Sequence, residues 1–137
     1  MWWIYALLSA LFAALTAIFA KIGIKGVDTD LATGIRTVII LILAWVLVFF
    51  KGSQHTVGNL TKTNWIFLIL SGCATGFSWI CYFKALQLGK VTQVAPVDKL
   101  SVAIAITLAA IFLGEPITFK TASAALLIIA GTIILIF

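Results

Sequence analysis

Residues 63–83, TNWIFLILSGCATGFSWICYF, run for 21 positions without a charged side chain. The hydrocarbon core of a bilayer is about 30 Å thick, and a helix rising 1.5 Å per residue needs about 20 mostly apolar residues to cross it. This run has that length. Working outward from it, the same reading gives helices over residues 2–20, 31–50, 63–86, 91–113 and 117–137. Arg36 alone interrupts the second; Pro96, Asp98 and Lys99 lie near the start of the fourth; Lys120 falls in the first turn of the fifth. The chain reads as one all-α integral membrane domain over residues 1–137, with five transmembrane helices.

Composition agrees. Of 137 residues, 64% are strongly apolar and 9% charged, whereas a soluble domain has about 45–50% apolar and 25% charged residues. Nine Lys/Arg and four Asp/Glu cannot cover a water-facing surface of this size. A soluble domain, a disordered chain and a nucleic-acid-binding protein are excluded. The net charge of +5 is spread between the apolar runs rather than gathered in a patch. Two cysteines and one histidine are too few for a disulfide scaffold or a multi-ligand zinc site of those residue types, and no metal or cofactor is expected.

Met1-Trp2-Trp3-Ile4-Tyr5 has no basic segment, so a retained helix with interfacial aromatic anchors fits better than a cleaved signal peptide. Trp65 anchors the third helix in the same way. The connections, 21–30, 51–62, 86–90 and 115–116, are too short for an extramembrane domain. Five crossings put the termini on opposite sides. Lys51, Lys62 and Lys120 fall on the side of Met1, and Lys21, Lys25 and Lys90 on the other. This tie sets no orientation. Adding the embedded Arg36, Lys84 and Lys99 favours a cytoplasmic C-terminus. A near-tie is what a chain inserting both ways would carry.

A charge at mid-bilayer costs about 2.5–3.5 kcal/mol on insertion scales, so each embedded one needs a reason. Arg36 either snorkels or pairs with Asp28 or Asp30, or it faces inward to bind an anionic group. Pro96 either opens the fourth helix, leaving Asp98 and Lys99 in an interfacial first turn, or breaks it. Interrupted helices are the best sequence pointer to a transporter's substrate site. In the third helix, Ser71, Thr75, Ser78 and Tyr82 share one face, beside Gly72 and Gly76. They form either a cavity lining walled by Trp79 and Tyr82 or a helix-packing face. Ala6, Ala10 and Ala14 read as packing. Glu115, before Pro116, is expected to cap the last helix, with proton carriage as the weaker alternative. Lys84 is expected to end the third helix and reach the headgroups, and His55 to be solvated. Asn59-Leu60-Thr61 matches a glycosylation acceptor, a pattern common by chance.

Nothing in the sequence supports catalysis. Cys73 lies about 12 Å below the surface that carries His55, and Cys73 and Cys81 are about 12 Å apart along one helix, too far for a disulfide. Phosphate loops, metal-ligand spacings and paired carboxylates do not occur.

The segments Tyr82-Phe83-Lys84-Ala85-Leu86-Gln87-Leu88-Gly89, Val94-Ala95-Pro96 and Leu113-Gly114-Glu115 before a final apolar helix resemble the EamA-type domain of the drug/metabolite transporter superfamily. The resemblance runs through all five helices, with its motifs clearest from Ser78 to Gly131. It implies one five-helix half-unit, where most members carry two inverted units in one chain and move metabolites by alternating access. It further implies a homodimer of antiparallel copies and a multi-pass location in the plasma (inner) membrane. The four-helix multidrug exporters of the superfamily depend on an acidic residue in the first helix, and residues 1–20 have none. With Arg36 and Lys99 as candidate cavity charges, an anionic or zwitterionic small-molecule substrate is the better electrostatic match. The expected binding residues are Arg36, Thr75, Trp79, Tyr82, Asp98 and Lys99. Two other functions remain open: a flippase for lipid-linked anions, and a non-transporting subunit that stabilises a membrane partner.

Overall fold

The computed structural model describes residues 1–136; Phe137, where the fifth helix is expected to end, lies outside them. The described residues are helical and contain no strand: α1 (Trp2–Gly23), α2 (Thr29–Phe50), a 3-10 segment (Ser53–Asn59), α3 (Lys62–Leu88), α4 (Val91–Asp98), α5 (Leu100–Phe112) and α6 (Phe119–Ile136). Among them, five helical stretches are long and apolar enough to cross a membrane, with α4 and α5 together forming the fourth. The protein is an all-α, multi-pass integral membrane protein.

Helix ends follow local chemistry. Asp28 caps α2, its carboxylate accepting the N–H groups of Asp30 and Leu31 at 3.0 Å each. The far end of α2 closes on Gly52, whose φ of 67° is left-handed, as a residue after a helix C-cap commonly requires. Thr61 opens α3 by accepting the N–H of Asn64 at 3.2 Å. The third helix continues past Lys84 to Leu88, 27 residues in all, or about 40 Å. It is longer than the bilayer core needs.

One expectation is corrected and one open reading is decided. The last helix begins at Phe119, and Thr118 is the residue whose hydroxyl accepts an N–H there, from Thr121 at 3.2 Å. Glu115 instead finishes α5: its N–H donates to the Ala109 carbonyl at 3.3 Å, after Gly114 turns the chain at φ 68°. Of the two readings of Pro96, the break is the one observed. The helix starts five residues earlier, at Val91, and Pro96 sits inside it. With no N–H at Pro96, the Thr92 carbonyl loses its i+4 donor. The chain tightens to i→i+3 bonds, Lys99 N–H to Pro96 and Val102 N–H to Lys99, each 3.0 Å, before α5 resumes. Lys99 is the joint.

The chain divides into two compact units, one of residues 1–19 and 88–137, the other of residues 20–87. In the first, α6 packs along α4 and α5. Thr132 on α6, almost fully buried, shares its hydroxyl proton between the Ile128 carbonyl at 2.8 Å and the Pro96 carbonyl at 3.2 Å. In the second, the Lys21 ammonium donates to the Leu86 carbonyl, and the Gln87 amide donates to the Val27 carbonyl at 3.1 Å. Phe83 and Leu86 are completely buried there. Most large apolar side chains elsewhere are exposed, Phe50 at 92% and Phe119 at 90%. That is the arrangement expected where the solvent is lipid and interhelical contact rests on packing and hydrogen bonds.

Candidate functional site

The second unit holds the candidate site, on facing stretches of α2 and α3. Arg36 is the eighth residue of α2, about 10 Å along the helix from its start. Its guanidinium carbon lies 4.9 Å from the centroid of the Trp79 ring and 4.5 Å from that of Phe83. Both rings are on α3, four residues apart and so on one helical face. The Gln87–Val27 bond sets the end of α3 level with the start of α2. Measured back from Leu88, Phe83 and Trp79 stand about 8 and 14 Å in, bracketing the level of Arg36 itself. The guanidinium is therefore held at depth on two aromatic faces. It does not stretch to the interface, and Asp28 is occupied in capping its own helix. A cation over an aromatic face gains about 0.5–1 kcal/mol when exposed and about 2 or more when desolvated.

Beside this cluster runs a cleft of about 450 Å³. One wall is α2, with Thr37, Ile40, Leu41 and Ala44; the other is α3, with Leu68, Ser71, Gly72, Thr75, Gly76 and Trp79. Trp79 belongs to both features: its ring carries the guanidinium and lines the cleft. Two of the three cleft hydroxyls, those of Thr75 and Thr37, point their protons away. Thr75 donates to the Ser71 carbonyl at 2.9 Å, and Thr37 donates to the Thr33 carbonyl at 2.8 Å. Each consequently offers the cleft a methyl group and an acceptor oxygen, not a donor. Gly72 and Gly76 keep the α3 wall low; a Cβ at either would meet nothing within 4 Å.

The structure thus brings together Arg36, Trp79 and, along the cleft, Thr75. Tyr82 is three residues beyond Trp79, its ring tilted against Phe83 at 6.1 Å. Ser78, predicted on the same polar face, does not line the cleft. Asp98 and Lys99 belong to the first unit, where they pair with each other at 3.1 Å, 35% and 57% exposed. Sequence reading missed Phe83 and Thr37. Phe83 was detectable, since a residue four beyond Trp79 shares its face; Thr37 emerges only when α2 is set against α3. Among the described residues no group of three His, Cys, Asp or Glu could hold a metal ion, and both cysteines are free and exposed.

Comparison with known proteins assigns the chain. It is 44% identical over 134 residues to a protein named an uncharacterized transporter in the cobO 3' region of a Sinorhizobium species, covering 98% of this chain and 95% of that one. No solved structure matches. The EamA-like transporter family matches residues 1–137. With its five apolar spans and a relative that is itself named a transporter, the chain belongs to the EamA-like transporter family, and the protein is a membrane transporter.

Proposed function

We propose that this protein carries a small anionic or zwitterionic metabolite by alternating access, as a homodimer of two copies inserted in opposite orientations in the plasma membrane. The observation that carries the substrate charge is Arg36, a cation kept inside the bilayer on the faces of Trp79 and Phe83 beside an open cleft. An embedded charge is costly, and the usual reason for retaining one is function. Arg36 is the electrostatic anchor, Thr75 and Trp79 line the walls, and Tyr82 stands against Phe83 beside them; the interrupted fourth span, with Asp98 and Lys99, is the kind of discontinuous helix that transporters use. The antiparallel pairing is supported by the tied lysine count of the two loop sets. No covalent step is required.

The test is counterflow in proteoliposomes. Uptake should be saturable, and Arg36→Gln should reduce it at least about tenfold, the loss expected when a charge-assisted hydrogen bond to substrate is removed. Equal rates for wild type, Arg36→Gln and Lys99→Ala would remove the site assignment. Scrambling of a labelled anionic lipid without any soluble counterflow would make the protein a flippase instead. Orientation is read separately: single cysteines placed at 51–62, in a background without Cys73 and Cys81, should be labelled from both faces of intact cells.

A further inference from the structure

We infer that the cleft between α2 and α3 selects a soluble organic monoanion with an apolar body, a carboxylate on an aryl or aliphatic frame, and rejects polyanions and polyols. This rests on the transport reading above and names its substrate class. Charge comes first. In the other unit Asp98 and Lys99 neutralise each other in a 3.1 Å pair, and none of the described residues lining the cleft is ionisable. Arg36 is left as a single positive charge, enough for one carboxylate and too little for a phosphate dianion.

Hydrogen-bond capacity comes second. A sugar or sugar phosphate brings many hydroxyls that each need partners, because an unpaired polar group in a water-poor site is expensive. The cleft supplies few donors. The protons of Thr37 and Thr75 are committed to the Thr33 and Ser71 carbonyls, Ile40, Leu41, Ala44 and Leu68 are apolar, and only the Ser71 hydroxyl and the Trp79 indole N–H add to the Arg36 guanidinium. Shape comes third. At about 450 Å³ the cleft is within the range of about 300–1,000 Å³ typical of small-molecule sites. It is bounded at one end by the Trp79 ring, on which a flat body can lie while its carboxylate meets the guanidinium edge. With the guanidinium carbon over the Trp79 and Phe83 rings, a carboxylate meets it best in plane along its N–H edge, the geometry a guanidinium prefers.

The glycine wall supplies the decisive variant. Neither Gly72 nor Gly76 has a neighbour within 4 Å of an added Cβ, so Gly76→Leu fills the cleft without a backbone clash and leaves Arg36 and its rings in place. The experiment measures binding of 3-phenylpropionate to purified full-length protein by thermal shift and by Trp79 emission, with Trp2, Trp3, Trp45 and Trp65 changed to Phe. The expected result is saturable binding that is at least about tenfold weaker in Arg36→Gln and absent in Gly76→Leu. The neutral 3-phenylpropanamide and glycerol 3-phosphate should not bind measurably. Equal affinity for the amide, or preference for glycerol 3-phosphate, overturns the monoanion class, as does undiminished binding in Gly76→Leu. An anionic phospholipid competing while phenylpropionate does not would assign the cleft to a lipid and overturn it as well. Counterflow of the same solutes keeps the two readings apart: binding without any counterflow refutes transport but not the class, and counterflow of glycerol 3-phosphate alone refutes the class but not transport.

Discussion

Two of the places where this molecule puts charge inside a membrane-spanning helix resolve it in opposite ways. In the first unit Asp98 and Lys99 are sequence neighbours at a helix break, and they satisfy each other while remaining substantially exposed. In the second, Arg36 has no acidic residue next to it in sequence and rests on two rings contributed by a helix more than forty residues away. The first pair is electrically self-contained. The second keeps a net positive charge, softened by aromatic faces that stabilise a cation without neutralising it. A cation held in this way can still attract an anion, and a cation paired to its neighbour has much less left to offer. That difference is why the anchor is placed at Arg36.

The largest expected effect that separates the two regions is on Phe83. Phe83→Ala removes a completely buried ring and one face of the arginine's seat. It should destabilise the protein by about 3 kcal/mol, toward the low end of the usual Phe-to-Ala range because lipid rather than water is the alternative solvent. Thermal unfolding in detergent measures it, and Phe83→Leu, which retains apolar volume, should recover most of the stability but not the cation's second face. Next in size is Pro96→Ala. Restoring the N–H that the Thr92 carbonyl lacks should stabilise the fourth span by up to about 3 kcal/mol while slowing counterflow, if the break must move. A faster variant would show that the break is a static irregularity. Thr132→Val should cost about 0.6 kcal/mol, the average for an interhelical hydrogen bond in a membrane, and should be nearly silent in a Pro96→Ala background if the two act on one joint. The smallest change is expected for Lys99→Ala, whose exposed pair contributes about 0–1 kcal/mol to stability. A thermal loss as large as that of Phe83→Ala would erase the contrast between the two regions.

The five spans were legible from length and apolar character because the bilayer thickness is an external ruler that any sequence can be held against. Helix ends were less legible where two candidate caps lay close together. Glu115 and Thr118 both suit a helix start, and the chain uses Thr118, leaving Glu115 to close the preceding helix. For the site, Thr75 and Trp79 followed from helical periodicity and Phe83 could have followed. Which rings carry Arg36 could not, since that depends on the register of α2 against α3.

That register separates the two levels of information. Sequence alone determined what is local or set by the bilayer: five apolar rods, short connections, the proline that must disturb a helix, and a few embedded charges too costly to be accidental. Tertiary structure decided which partners those charges find. The Gln87–Val27 bond brings the end of α3 level with the start of α2, the Lys21–Leu86 bond ties it to the end of α1, and Thr132 meets Pro96 across 36 residues of chain. The physical reason is that a rod's length and face are properties of its own residues, whereas the level at which two rods meet depends on bonds between residues distant in sequence, for which no periodicity exists to be read.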